Sequence, residues 1–313
     1  MRAAVLHDFG TTPRAEEFAP DPSGGDGSVV VDVSVAGLNP IDLYIASGQF
    51  PAKPPLPSVA GLEGVGTVDG RRVYFDASAA PFGSLGERTQ VDPDTLIDVP
   101  DGVDDGLAVA FGIAGLAAWL GMTWRGGLSA GETVLVLGAS SVVGQVAVKG
   151  ARLLGAGTVV AAARSDEGLE RGRQLGADGV VRLDDGDDMA DRFRDAAGGD
   201  IDLVVDPVWG PAAMAALVAL RDGGRLVQIG NASGASTDFP ARSVRTGSKS
   251  ILGHTNFAAP RDVKREAFEA MCRHAAAGEL TVPVEEIELD AIEQGWKRQA
   301  EGPHRKLVVR LPR

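Results

Sequence analysis

The stretch Thr133-Val-Leu-Val-Leu-Gly138-Ala-Ser-Ser-Val-Val-Gly144, followed by Val159-Val-Ala-Ala-Ala-Arg164-Ser165, decides the fold. An apolar run of strand length gives way to small residues, then to a helical pattern, then to a second apolar run ending in Arg164. Arg164 stands about 20 residues past the last glycine, which is the layout of a dinucleotide-binding βαβ unit. Such a turn brings backbone N–H groups and a helix N-terminus against a pyrophosphate, so side chains there must be nearly absent. Ala139, Ser141 and Gly144 occupy the three glycine places of G-x-G-x-x-G, and only the third is glycine. Taken alone, the turn fits an ordinary strand-turn-helix equally well. Ala and Ser still permit close approach, and Gly144 lets the helix from Val142 pack against the first strand. After the second strand comes Arg164-Ser165, where NAD sites usually carry Asp or Glu. A guanidinium with a hydroxyl suits a 2′-phosphate, because Arg makes a bidentate, charge-assisted contact with it. The expectation is NADP(H), and the alternative for Arg164 is an unengaged surface residue.

The 313 residues, 44% of them hydrophobic, suffice for two domains. A formal net charge of −13 argues against nucleic acid or an anionic membrane as partner, since both would repel the chain. The single Cys272 excludes an intrachain disulfide and a multi-cysteine zinc site, and its amphipathic setting reads as a packed thiol. The opening residues carry no long apolar core of a signal peptide. The uncharged stretch 106–124 approaches the length of a membrane span. Its Gly and Ala content and the lack of a positive flank on its N-terminal side make it buried helical structure joining two domains. A cytoplasmic enzyme is expected.

Residues 1–100 hold short β-branched runs separated by Pro, Gly and Asp, at 28–35, 66–68, 72–75 and 96–99, which predict an irregular β-domain. From Gly131 strand-like runs recur at 133–138, 157–163, 179–183, 201–206, 224–230 and 249–253. Helical patterns fill four of the intervals, and 231–248 reads mostly as loop. This predicts a doubly wound, six-stranded parallel sheet with ligands at the carboxyl ends of its strands. The tail holds an amphipathic helix, a strand at 282–289, a helix near 291–299 and a last strand at 306–311. It is expected to return to the N-terminal domain.

Several further segments carry a family resemblance. They are Met1-Arg-Ala-Ala-Val-Leu-His-Asp-Phe-Gly10, Ala36-Gly-Leu-Asn-Pro-Ile-Asp-Leu-Tyr44, Gly61-Leu-Glu-Gly-Val-Gly66, Ala114-Gly-Leu-Ala-Ala-Trp119, Asp206-Pro-Val-Trp-Gly210 and Gly223-Gly-Arg-Leu-Val-Gln-Ile-Gly230. In this order the chain resembles the medium-chain dehydrogenases/reductases, in the zinc-free branch similar to quinone oxidoreductases. The resemblance implies an α/β protein with a GroES-like, β-rich catalytic domain from 1–113 and 257–313, and a Rossmann dinucleotide-binding domain at 114–256. Zinc-dependent relatives place a Cys in the segment matching 37–42 and a His in that matching 61–64. This chain has Asn39-Pro40 and Leu62, its four histidines are scattered, and the four-cysteine lobe is missing, so a zinc-independent reaction is expected.

Without a metal Lewis acid, the site suits acceptors that take hydride at carbon and delocalise the resulting anion, namely quinones and α,β-unsaturated carbonyls. The cofactor carries the difficult chemistry, and the protein places the acceptor and excludes water. By resemblance, Asn39 and Tyr44 lie beside the nicotinamide and substrate. Asn39 is the candidate donor to a carbonyl, and Tyr44 orients the ring or relays a proton. The alternatives are a turn residue before Pro40 and a rim aromatic. Ser140, Ser141, Val142 and Val143 are expected at the pyrophosphate, with Gly230, Asn231 and Asn256 toward the nicotinamide. Asp206 and Trp209 end the fourth strand, where Asp206 either lines the site or caps its own turn. His254 reads as an acid or as a satisfied structural residue.

Three departures bear on the cofactor site. Ala117 stands where many relatives have a Thr that contacts the nicotinamide. Gly112 replaces a frequent Pro, and Gly168 replaces a Lys common in NADP-using relatives. Two alternatives to a quinone or enone reductase remain: a tailoring reductase of a larger biosynthetic intermediate, and a non-catalytic NADPH-binding or sensor protein. The run 249–253 would be an exposed sheet edge, which predicts a homodimer through that edge.

Overall fold

The computed structural model describes residues 1–25, 27–184 and 186–312. They form two compact units, Met1–Ala114 with Phe268–Arg313, and Gly115–Ala267. The second division falls inside the helix Arg261–Ala276, whereas the sequence placed a junction ahead of it, at 256/257. Phe268 accounts for this, because its ring stacks on Tyr74 with centroids 4.7 Å apart and so ties the later turns of the helix to the first unit.

In the unit Gly115–Ala267, six strands form one parallel sheet: Thr133–Val136, Thr158–Ala163, Gly179–Arg182, Ile201–Asp206, Leu220–Gln228 and Ser250–Gly253. Their spatial order is third, second, first, fourth, fifth, sixth. The order reverses between the first and fourth strands, where doubly wound sheets bind ligands. The helices Val142–Leu153, Asp166–Gln174, Met189–Ala197 and Gly210–Ala219 fill the intervals that the sequence marked as helical. Strands covered on both faces must be apolar throughout, and Val134, Leu135 and Val136 are fully buried. The fifth strand runs 220–228 rather than 224–230. At its end the amides of Ile229 and Gly230 both donate to the carbonyl of Asp206, at 2.8 and 3.3 Å. The interval 231–248 is largely irregular but closes with the short helix Ala241–Thr246.

In the other unit, the order of the main sheet is Val284–Glu288, Lys306–Arg310, Val29–Gly37, Gly64–Val68, Arg71–Phe75, Ile97–Asp98, and Arg88–Val91 also pairs with Val29–Gly37. Arg2–Leu6 is the centre of a separate three-stranded sheet with Arg14–Glu17 and Ser58–Val59. Strand alternation turns Val31 and Val33 into a core shared with Phe75, Leu307 and Val309. The tail returns here as expected, since Val308–Arg310 pair antiparallel with Val35–Gly37.

The apolar stretch is helical over Asp105–Arg125 and passes the length and composition test for a span, but its most apolar window is 78% buried inside the fold. It is capped by Asp104, whose Oδ1 accepts from the amide of Gly106 at 2.9 Å. It is broken at Gly112, where φ −63° and ψ −121° depart from helix. Cys272 is buried, and burial pushes its thiol pKa up to about 12, so it behaves as a packed, unreactive group.

Candidate functional site

The turn after the first parallel strand is built around two glycines. Gly138 adopts φ +61°, and a Cβ there would lie 2.8 Å from Val208 Cγ1. A Cβ on Gly144 would strike the carbonyl oxygen of Gly138 and come within 2.6 Å of Ala139 Cα. The one glycine retained from the fingerprint is therefore the one that lets the helix seat against the strand. Ser141 caps that helix: its Oγ accepts from the Gly144 amide at 3.0 Å and donates to the Gly138 carbonyl at 2.9 Å. Gln145 Nε2 fixes the Ser140 carbonyl at 2.8 Å. The amides of Val142 and Val143 have no partner among the described residues, so two donors remain at the positive end of a 12-residue helix. That cradle fits a pyrophosphate.

At the end of the second strand, Arg164 is exposed and its guanidinium engages no partner among the described residues. Ser165 caps the helix Asp166–Gln174 by accepting from the Gly168 amide at 3.1 Å, which leaves its O–H free to donate. A Cβ on Gly168 would lie 2.9 Å from Ala163 Cβ and 3.1 Å from Ser140 Cβ, so this position brings the helix onto the turn and has no room for a lysine without a shift. The structure adds Arg182, missed in the sequence because it merely ended the third strand. Its Nη1 donates to the Arg164 carbonyl at 2.7 Å, and its other arm pairs with Asp166.

Beyond the fourth strand, Asp206 is fully buried. Its Oδ1 accepts from the amides of Val208 and Trp209 at 2.9 and 2.8 Å, while Oδ2 has no partner among the described residues. It caps its own turn, and burial pushes its pKa up to about 6. Trp209 sits at φ +60°, ψ −164°, a region nearly exclusive to glycine that costs on the order of 1–3 kcal/mol for other residues. Gly230 lies against this turn, where a Cβ would approach the Pro207 carbonyl at 2.8 Å. Asn231 is exposed just past it. At the end of the sixth strand, His254 packs edge-on to Trp124 with centroids 5.9 Å apart and pairs with Asn256 at 3.2 Å. Burial lowers its pKa, so the imidazole is neutral at physiological pH.

In the first unit, the carbonyl donor and tyrosine suggested by the sequence have different fates. Tyr44 is 45% exposed on the helix Pro40–Ala46, and its ring meets Phe50 edge-on at 5.8 Å. Asn39 is buried, and both ends of its carboxamide are engaged within the unit. Nδ2 donates to Glu63 Oε1 at 2.8 Å, and Oδ1 accepts from Lys306 Nζ at 2.7 Å. Only one N–H hydrogen of Asn39 remains uncommitted. Glu63 Oε1 also receives Lys306 Nζ at 2.5 Å, and Oε2 accepts from the Tyr74 hydroxyl at 2.9 Å and the Ile113 amide at 2.6 Å. Tyr74 stays protonated, because burial first and then the Glu63 charge raise its pKa well above the ordinary value.

Asp42 completes this cluster. Its Oδ2 accepts from the Asn39 amide at 2.8 Å, while Oδ1 has no partner among the described residues. Burial pushes its pKa up to about 7, against the lowering pull of the Asn39 amide and Lys306. With Asp42 protonated, one carboxylate faces one ammonium and the cluster is neutral. The folded state holds this proton more tightly than the unfolded chain, so stability falls as pH rises from about 4 to about 7 and the penalty is complete above that. Asp42→Asn should therefore gain stability relative to the parent across that window and show no relative gain below it. Denaturant titrations at pH 4, 5.5 and 8 measure this, and a pH-independent difference would contradict it.

Comparison with known proteins bears on the fold and the family. Residues 142–275 match the zinc-binding dehydrogenase family model, and residues 25–76 match that of the alcohol dehydrogenase GroES-like domain. Quinone oxidoreductase-like protein 2 of Rattus norvegicus is 30% identical over 264 residues, 80% of this chain and 74% of the relative. A phenolphthiocerol/phthiocerol polyketide synthase chain of Mycobacterium tuberculosis is 30% identical over 301 residues, 91% of this chain. This chain spans only 14% of that synthase's length. The quinone oxidoreductase of Thermus thermophilus, solved also in complex with NADPH, superposes with a TM-score of 0.84 at 30% identity, covering 99% of this chain and 100% of that one. Both matched family models are those of dehydrogenases. The chain belongs to the medium-chain dehydrogenase/reductase superfamily, in its quinone oxidoreductase-like branch.

Proposed function

We propose that this protein is an NADPH-dependent, zinc-independent reductase that delivers hydride to a quinone or an α,β-unsaturated carbonyl. The observation that carries the reading is the side-chain content of the region where zinc-dependent relatives hold their metal. Pro40 and Leu62 cannot ligate, and Asn39 and Glu63 are closed over the ammonium of Lys306. Among the described residues, no group of three or more His, Cys, Asp or Glu is disposed to hold a metal ion. The similarity to a quinone oxidoreductase solved with NADPH supports the same reading.

The dinucleotide, when bound, supplies the hydride. The chain's own residues do the rest. The amides of Val142 and Val143 and the helix dipole hold the pyrophosphate. Arg164, with the Ser165 hydroxyl beside it, takes the 2′-phosphate. Gly230, Asn231 and Asn256 serve the nicotinamide half. Tyr44, an exposed tyrosine of the first unit, orients the acceptor or relays a proton to the oxygen that becomes anionic. Asn39 contributes through its remaining N–H or by holding the helix that carries Tyr44.

Cofactor choice is the first test. Losing a charge-assisted, bidentate contact should lower affinity for NADPH about 10- to 100-fold in Arg164→Ala and leave NADH nearly unchanged. Fluorescence titration of both dinucleotides measures this, and parallel losses would remove Arg164 from phosphate recognition. Initial rates of chelator-dialysed protein with benzoquinone, naphthoquinone and simple enones test the reaction. Full activity is expected, and activity restored only by added zinc would overturn the reading.

A second reading, a tailoring reductase of a larger biosynthetic intermediate, is favoured by the similarity to a segment of the polyketide synthase. An enoyl thioester turned over much faster than free enones would select it. The edge strand Ser250–Gly253 has a neighbouring strand on one side only, which favours a homodimer through that edge in a cytoplasmic setting. Light scattering on the purified protein gives the mass that decides it.

A further inference from the structure

In the first unit, one carboxylate has four donors brought to it from four separate parts of the chain. Glu63 receives the Asn39 amide group, the Lys306 ammonium, the Tyr74 hydroxyl and the backbone N–H of Ile113. Buried charges are tolerated only with such full satisfaction. Backbone has been reshaped to provide it. A Cβ on Gly37 would stand 2.6 Å from Glu63 Oε1 and 2.9 Å from Lys306 Nζ. A Cβ on Gly112 would strike Glu63 Oε2 and the Tyr74 hydroxyl. Gly112 also departs from helical geometry, immediately before the amide of Ile113 turns to the carboxylate.

The cluster reaches the helix that bears Tyr44 by a short path. Lys306 and Glu63 grip opposite ends of the Asn39 carboxamide. Asn39 is the N-cap of Pro40–Ala46, and its amide is held by Asp42 in the first turn. Rotation of the Asn39 side chain would break both grips, so the start of this seven-residue helix is fixed to the last strand and to the Glu63 pocket. We propose that Glu63 and Lys306 are positioning residues: through Asn39 they set the placement of the helix Pro40–Ala46, and with it the hydroxyl of Tyr44, without touching substrate.

This rests on the reading of Tyr44 as a substrate-side residue, and the test separates the two claims. The chain has only two tyrosines, Tyr44 and Tyr74, so protein labelled with 3-fluorotyrosine gives two fluorine signals, assigned with Tyr44→Phe. The variants are Glu63→Gln and the neutral pair Glu63→Gln/Lys306→Met, which leaves no uncompensated charge if the single change fails to fold. Among the described residues, no hydrogen bond joins Tyr44 to either site. The Tyr44 signal should nevertheless shift or broaden in the folded variant. Turnover should fall about 10- to 100-fold, as displacement of a reacting group by an ångström does, with NADPH affinity within about twofold of the parent. A folded double variant whose Tyr44 signal and kcat match the parent overturns the proposal. Should the parent itself turn over no acceptor, the function assigned to Tyr44 fails, while the fluorine signal still decides the coupling.

Discussion

Lys306→Met alone is expected to lower stability by about 3–5 kcal/mol, because it leaves the Glu63 carboxylate buried without its counter-charge. Glu63 is completely buried and Lys306 nearly so, and the ammonium also holds the Asn39 carboxamide and the Leu38 carbonyl. Three acceptors each lose a donor at once, and Glu63 Oε1 keeps only the Asn39 carboxamide. Substituting Glu63→Gln in the same protein should recover most of the loss, since replacing both members of a buried ion pair by neutral groups is far less costly than removing one. Urea unfolding of the parent, both single variants and the double variant gives the coupling energy directly. Additive losses would mean that the two side chains are not an energetic pair.

Gly144→Ala carries the second large effect. The added carbon meets the backbone of Gly138 and Ala139, so no side chain can rotate away and the helix must lift from the strand. Overpacking of this kind costs about 1–3 kcal/mol, and more when the obstacle is main chain. The amides of Val142 and Val143 would move with the helix, so NADPH affinity should fall at least about tenfold, following the geometric demand on an anion held by a helix N-terminus. Calorimetric binding and thermal unfolding measure the two consequences. Unaltered affinity in a folded variant would remove this turn as the pyrophosphate site.

Much of the second unit was legible because a parallel sheet covered on both faces writes its strands as uninterrupted apolar runs, as at Thr133–Val136 and Thr158–Ala163. The turn was legible only in part. Gly144 could be recognised from its spacing, whereas Gly138, which takes the left-handed conformation, lies outside the three-glycine pattern. Arg182 was hidden because nothing in a strand's last residue indicates that it will reach the carbonyl at the end of a neighbouring strand. In the first unit, the helix Pro40–Ala46 was not singled out, since Asn-Pro is a turn signal and seven residues are too few to display helical periodicity.

The Glu63 cluster was the least legible part of the site. Lys306 lies 243 residues from Glu63 and 267 from Asn39, and a lysine at the start of a strand reads as a solvated end. Only the antiparallel pairing of Val308–Arg310 with Val35–Gly37 brings it to the pocket. Asn39 was singled out as a candidate donor to a carbonyl, and its hydrogen bonds turn its carboxamide to Glu63 and Lys306. Trp209 gave no sequence signal of strain, because a positive φ depends on the turn held by Asp206 and not on the residue itself.

The most direct measurement follows the hydride. Chelator-dialysed protein is given NADPH carrying deuterium at both C4 positions with a simple enone, and the product is analysed by mass spectrometry. Transfer of one deuterium to the β-carbon, at a rate unaffected by metal removal, is the predicted result. Product without label, or turnover that vanishes with the metal and returns with zinc, would contradict zinc-independent hydride transfer.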